Sequence, residues 1–196
     1  EVEIITVGVG SQDYEKELRT PLAMGADRAI LLSPPAPPGD SLSTARALVA
    51  ALADLEYDVL FFGARAVDSD NFQTGSMVSE ILGLPLVSEV VELTAEKGWI
   101  LVTREERGGH ATIGLPTPCG VTFQKGLHDP RYATLPGIMK SKKKPLEQRE
   151  IEVTDSRIEV LSLDPPAARP TGKIVGEGPD AVPELFRLLR EEAKVL

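Results

Sequence analysis

Apolar positions in the first third of the chain alternate between two periods. Val2 to Val9 (VEIITVGV) is a short run rich in β-branched residues and closed by Gly10, which predicts a buried strand. Tyr14, Leu18 and Leu22 then recur at helical spacing, and Gly25 is placed to end that helix as a left-handed cap. Pro21 is expected to kink it, because proline lacks an amide and collides with the preceding turn. Asp27 to Leu32 (DRAILL) predicts a second buried strand, and the proline-rich Ser33 to Asp40 a loop. Ser43 or Thr44 is positioned to cap the next helix, whose stripe is Leu48, Leu52 and Leu55. Val59 to Gly63 (VLFFG) predicts a third buried strand. Continuous apolar strands alternating with amphipathic helices indicate an α/β fold, a Rossmann-like parallel sheet with helices on both faces.

The pattern changes downstream. Val87 to Leu93 alternates, Trp99 to Thr103 is a further strand, and the AEKG turn at Ala95 to Gly98 makes the two an antiparallel hairpin. Ala111 to Gly114 and Val121 to Phe123 predict two more strands. Ser162 to Gly178 is rich in Pro and Gly and reads as an extended arm. Val182, Leu185, Phe186, Leu189 and Ala193 form the stripe of a closing helix, with Asp180 placed as its cap and Pro183 in its first turn. The expected organisation is an α/β domain over residues 1–161, with a loop of special interest at about 127–144, and a C-terminal arm and helix over 162–196.

Composition narrows the function classes. With 196 residues, 42% hydrophobic and 26% charged, the chain is an ordinary globular length and mixture. A formal net charge of -9 argues against a general nucleic-acid binder, which needs excess Lys and Arg. The one cysteine, Cys119, permits no intrachain disulfide and reads as a small buried hydrophobe. The two histidines, His110 and His128, read as surface or turn residues. No apolar run approaches membrane-spanning length. Gly-x-Ser-x-Gly and Walker-type Gly-Lys-Ser/Thr are absent, and no constellation specifies a reaction, so no enzyme activity is expected.

Two segments carry the candidate sites. The first runs through Ala66, Val67, Asp68, Ser69, Asp70, Asn71, Phe72, Gln73, Thr74, Gly75, Ser76 and Met77, directly after the third strand. In open parallel sheets, ligands bind beyond the carboxyl ends of strands. Polar side chains, a glycine permitting close backbone approach, and a following helix amino terminus suit a phosphate. The same residues would also serve merely to cap a helix and shape a turn. The second segment, Leu127 to Lys144 (LHDPRYATLPGIMKSKKK), sets Leu135, Ile138 and Met139 among Pro, Gly and charge. They read either as a partner anchor or as side chains packed under the loop. Lys140, Lys142, Lys143 and Lys144 read as a solvated face or as steering charge for an acidic partner. Arg104, Glu105, Glu106 and Arg107 before Gly108-Gly109 read as alternating surface charge at a turn.

Together these phrases resemble the electron-transfer flavoprotein beta subunits. Leu22-Ala-Met-Gly-Ala-Asp-Arg28 resembles their helix-to-strand junction, and Asp68 to Gly75, with its Gln-Thr-Gly, their nucleotide loop. Arg104-Glu105 with Gly108-Gly109 resembles their charged hairpin. Asp129-Pro-Arg-Tyr-Ala-Thr-Leu-Pro136 with Ile138-Met-Lys140 and the following lysines resembles their partner-recognition loop. The resemblance implies an adenine nucleotide alpha hydrolase-like fold without hydrolase activity, holding one structural AMP. It implies a heterodimer with an alpha subunit that holds most of a shared FAD. Electrons would arrive from acyl-CoA dehydrogenases or related flavoenzymes and leave to electron-transfer flavoprotein-quinone oxidoreductase, in the bacterial cytoplasm or alternatively the mitochondrial matrix. Neither nucleic acid nor membrane insertion is implied. Carried over by residue, the loop from Ala66 to Met77 and Val9 fall on the AMP site. Leu135 matches a partner anchor, flanked by Arg131, Tyr132, Pro136, Ile138, Met139 and Lys140, and Glu105 matches a docking glutamate. Such proteins normally have about fifty further residues ahead of the first strand, some near the FAD. Pro21 replaces a usual helix former, and Arg107 and His110 replace usual acidic residues. The alternatives weighed are a stand-alone nucleotide sensor of the universal stress type, a bifurcating relative with FAD in the AMP pocket, and an adenylating pyrophosphatase. The last of these lacks its Ser-Gly-Gly-x-Asp-Ser run in this sequence.

Overall fold

The computed structural model describes residues 2–124, 129, 131–153, 156–169 and 171–196. Leu127, His128 and Pro130 of the second candidate segment lie outside the described residues. The chain divides into two compact units, Glu1–Glu159 and Val160–Leu196.

In the first unit, β1 (Ile5–Val9), α1 (Glu15–Met24), β2 (Arg28–Ser33), α2 (Ser41–Leu52), β3 (Val59–Gly63) and α3 (Thr74–Leu82) follow one another as the periodicity predicts. The strand β2 explains the continuous apolar runs. Ala29 and Leu31 pack with Leu18 and Leu22 of α1, while Ile30 and Leu32 pack with Ala51 of α2. Successive strand residues face opposite ways, so helices on both faces leave little room for polar side chains.

The strands form two sheets. One has the order β1-β2-β8, all parallel, where β8 (Leu146–Glu150) lies in a polar stretch that the apolar pattern does not mark. The other has the order β3-β7-β4-β5-β6, formed with β4 (Leu86–Glu96), β5 (Trp99–Glu106), β6 (Gly109–Pro116) and β7 (Cys119–Phe123). Here β3 and β4 flank β7 in parallel, and β4, β5 and β6 run antiparallel. Helix α2 joins the two sheets, because its Leu48 packs with Ile30 and Leu32 of one and with Leu60 of the other. At β4 the register slips between Val87 and Val90, and Glu89 within the bulge has φ 58. The Glu89 amide donates to Thr122 Oγ1 (3.0 Å), and its carboxylate accepts from the Gln124 side chain.

Helix ends differ from expectation in three places. Asp40, not Ser43 or Thr44, caps α2; its Oδ1 accepts from the Ser43 amide at 2.7 Å, and Ser43 Oγ accepts from the Asp40 amide at 3.2 Å. Ser43 is the reciprocal partner in this capping box, three residues further in. Asp180 lies in a 3-10 turn, Pro179–Ala181, and α5 (Val182–Glu191) begins without a side-chain cap. The third is α4 (Leu135–Ser141), a helix within a stretch read from sequence as loop. Seven residues holding a Pro and a Gly are too few to display a 3.6-residue period. Pro136 sits in the first turn, where its missing amide costs nothing, and Thr134 Oγ1 accepts from the Gly137 amide (3.2 Å). Gly25 ends α1 with φ 134, a conformation that suits glycine.

In the second unit, Val182, Leu185 and Phe186 of α5 are exposed. Arg187 pairs with Glu184 at 2.7 Å and Glu191 at 2.9 Å.

Candidate functional site

A crevice of about 280 Å³ opens at the carboxyl end of β3. It is lined by Phe62 and Gly63 of β3, the following loop including Arg65, Ser69, Asn71 and Phe72, and Gln73 to Gly75 at the start of α3. Ser41 at the start of α2 completes it, and Asn71 Nδ2 donates to Ser41 Oγ at 3.3 Å. The loop backbone is unusual, with Asp70 at φ 50 and Phe72 at φ 58. Left-handed conformation is costly for a bulky residue, and such strain clusters at ligand clamps.

Of the alternative reading for the loop, the turn is realised, with the Asp70 amide donating to the Ala66 carbonyl at 3.0 Å, but the helix cap is not. Asp68 Oδ1 accepts from the Ser69 amide next to it, Asp70 pairs with Arg65 at 3.4 Å, and Asn71 reaches Ser41. None of them caps α3, whose N-cap position, Gln73, makes no side-chain cap bond. The start of α3 thus borders the crevice without a side-chain cap, and Arg65, which lines the crevice too, is paired with Asp70. An uncapped helix start favours an anion.

Of the residues predicted for this site, Ala66, Ser69 and Asn71 to Gly75 line the crevice. Val67 is fully exposed, and Asp68, Asp70 and Ser76 are also exposed. Met77 packs in the cluster of α2, β3 and α3, and Val9 in the cluster under α2. Gly75 is glycine for a packing reason. A Cβ there would lie 2.9 Å from Thr122 Cγ2 and 3.0 Å from Phe62 Cγ, so its space is filled by protein rather than left to a ligand. Sequence reasoning missed Ser41, Phe62 and Arg65. Arg65 was accessible to it, as a cation just past the strand end; Ser41 was not, since only the fold brings it beside Asn71.

The second segment presents an apolar surface. Leu135 is 80% exposed and Met139 67%, with Tyr132 and Ile138 also exposed. The alternative in which these side chains pack beneath their own loop is thereby set aside. Arg131, Pro136 and Lys140 are exposed too. Glu105 lies on another element, exposed near the β5–β6 turn and in register with His110. Helix α4 packs against α1. The four lysines divide: Lys140, Lys142 and Lys143 are exposed, whereas Lys144 is half-buried and donates from Nζ to the carbonyls of Leu22 (3.1 Å) and Ala26 (2.5 Å). Cys119 is buried, which pushes its thiol pKa up and fits a structural role. Among the described residues, no cluster of His, Cys, Asp and Glu could hold a metal, and no helix is long and apolar enough to cross a membrane.

Fold and crevice define a Rossmann-like α/β domain with an open crevice beyond the end of β3, the place where open parallel sheets bind ligands. Residues 1–154 match the Electron transfer flavoprotein domain. The chain belongs to that family, on its beta-subunit side. It is 35% identical to the electron transfer flavoprotein subunit beta of Bacillus subtilis over 98% of this chain and 79% of that protein. It is 38% identical to the Mus musculus subunit beta over 93% of this chain and 74% of that protein. To the mitochondrial subunit beta of Arabidopsis thaliana it is 37% identical, over 99% of this chain and 78% of that protein.

Proposed function

We propose that this chain is a non-catalytic electron-carrier subunit. It holds a structural AMP in the β3 crevice, pairs with an FAD-holding alpha subunit, and docks acyl-CoA dehydrogenase-type flavoenzymes through α4. Electrons pass on to a quinone oxidoreductase. The observation that carries the reading is the coexistence, on one α/β unit, of a crevice at a strand end beside an uncapped helix start and a separate exposed apolar helix. The crevice volume, about 280 Å³, falls near the lower end of small-molecule pockets. The α3 amides and Arg65 would meet the phosphate of the AMP, and Asn71 and Gln73 its polar edges. The FAD supplies the redox chemistry when bound; this chain supplies position. A concave polar site encloses a small molecule, while Leu135 and Met139 can lose their water only against another protein. The apolar face of α5, with Val182, Leu185 and Phe186, is assigned to the alpha subunit.

The deciding experiment is mass spectrometry of ligands released from the co-purified complex. One AMP and one FAD per complex is the expected result. Two FAD molecules would move the protein to the bifurcating class, and a flavin-free homodimer would favour the stress-type sensor.

A further inference from the structure

The geometry points to Arg19 and Lys144 as positioning residues that fix the pose of the docking helix α4. This inference rests on the docking role proposed for Leu135. Each cation belongs to one segment and caps the other. Arg19, on α1, donates through Nη1 to the carbonyls of Ser141 (2.8 Å) and Lys144 (3.0 Å), at and just beyond the carboxyl end of α4. Its Nη2 is held by Glu15 Oε1 at 3.0 Å, one turn back, so the guanidinium is also oriented from within α1. Lys144, following α4, donates to the carbonyls of Leu22 and Ala26, in the last turn of α1 and just past its end. Carbonyls at a helix carboxyl end have no intrahelical partner and carry the negative end of the dipole. Two cations exchanged in this way therefore meet four carbonyls, of which that of Ser141 also accepts the Lys144 amide at 3.2 Å, and join the two segments.

Contact at the other end of α4 is equally close. A Cβ on Gly137 would lie 2.6 Å from the Ala23 carbonyl oxygen, so only glycine lets the first turn of α4 lie on the end of α1. The Arg131 guanidinium lies over Gly25, adding positive charge there. Helix α4 has seven residues, far too few to be stable alone. Its helicity and its direction thus depend on these contacts, and with them the presentation of Leu135 and Met139. Lys144 is distinguished from Lys140, Lys142 and Lys143 by this burial, although all four read alike in sequence.

The test uses the intact heterodimer, with an acyl-CoA dehydrogenase as electron donor and KM for the heterodimer as readout. Leu135→Ala is expected to raise KM about thirtyfold. Lys144→Met should raise it about tenfold with kcat little changed, since a misplaced docking group is lost as binding. Lys144→Arg, which keeps a donor cation, should recover most of that loss. Lys143→Met removes the same charge from an exposed position and should shift KM by at most about twofold. The double variant Lys144→Met with Leu135→Ala should exceed Leu135→Ala alone by much less than tenfold, because both act largely on one contact. Amide exchange at 135–141 should quicken in Lys144→Met while the amides of β2 stay protected, which separates loss of pose from loss of fold. If Leu135→Ala changes nothing, the docking role falls and this inference with it. If Leu135→Ala is impaired but Lys144→Met is not, or Lys143→Met is impaired equally, the positioning role alone is overturned.

Discussion

The β3 crevice and helix α4 are built on opposite principles. The crevice is concave, lined by polar side chains such as Ser41, Asn71 and Gln73 together with apolar Phe62 and Phe72, and the loop beside it carries two left-handed non-glycine residues. Helix α4 is convex, conventionally coiled, and exposes its largest apolar side chains. Strain is tolerated in the first because Ser41, Phe62 and Thr122 hold the loop and the start of α3 from three different elements. Exposure is tolerated in the second because α4 is tied to α1 at both ends. The contrast teaches that the two sites should fail independently: damage to one should leave the other working.

The largest effect should come from Gly75→Val. Its Cβ alone would overlap Thr122 and Phe62, and the branched methyl groups have nowhere to go. Overpacking at such a site costs about 3 kcal/mol. Thermal unfolding should show the loss together with nucleotide release, while α4 still docks in the surviving folded fraction. Next comes Leu135→Ala, expected to weaken coupling to the dehydrogenase by about 2 kcal/mol, with nucleotide content unchanged. Dye-linked turnover and ligand quantification measure the two sides separately. Loss of nucleotide in Leu135→Ala would break the comparison outright. Asn71→Ala should be milder, costing about 1 kcal/mol from the lost bond to Ser41, read as faster nucleotide release with normal docking.

Much of this architecture was legible because its signals are local. Strand β3 has the predicted bounds, and β1, β2 and the β4–β5 hairpin fall within a few residues of theirs, since a covered strand or a hairpin displays its period in its own residues. Strand β8 (LEQRE) was invisible because it has few apolar side chains and, among the described residues, pairs only with β2. Helix α4 was hidden because it is short and its support comes from α1, more than a hundred residues earlier in the chain. The loop from Ala66 to Met77 was readable as the border of a crevice from its place after β3, but its shape was not. Nothing in Asp70 or Phe72 as residue types announces a positive φ. The division among the lysines was likewise unreadable, for it depends on where the end of α1 lies.

The smallest effect concerns acid, and it separates the two sites without altering α4. Asp40 caps α2 next to Ser41, and its Oδ2 also accepts from the Arg157 amide at 2.7 Å and Ser156 Oγ at 3.2 Å. The amides of Ser43 and Arg157, with the Ser43 and Ser156 hydroxyls, hold this carboxylate well below its usual range. Because the folded value is depressed, the charged cap contributes its full stability above the unfolded carboxylate pKa of about 3.9. That contribution is lost progressively as pH falls below this value toward the folded pKa. Asp40→Asn keeps an acceptor but cannot titrate, so the wild-type advantage in melting temperature should be constant above about pH 5 and shrink below about pH 4. Crevice geometry should respond in the same window, since Ser41 is the first residue of the capped helix. Docking by α4, held by Arg19 and Lys144, should not follow it. An advantage that stays level into acid would mean that the carboxylate charge contributes nothing to this cap, and that the crevice is held by its loop alone.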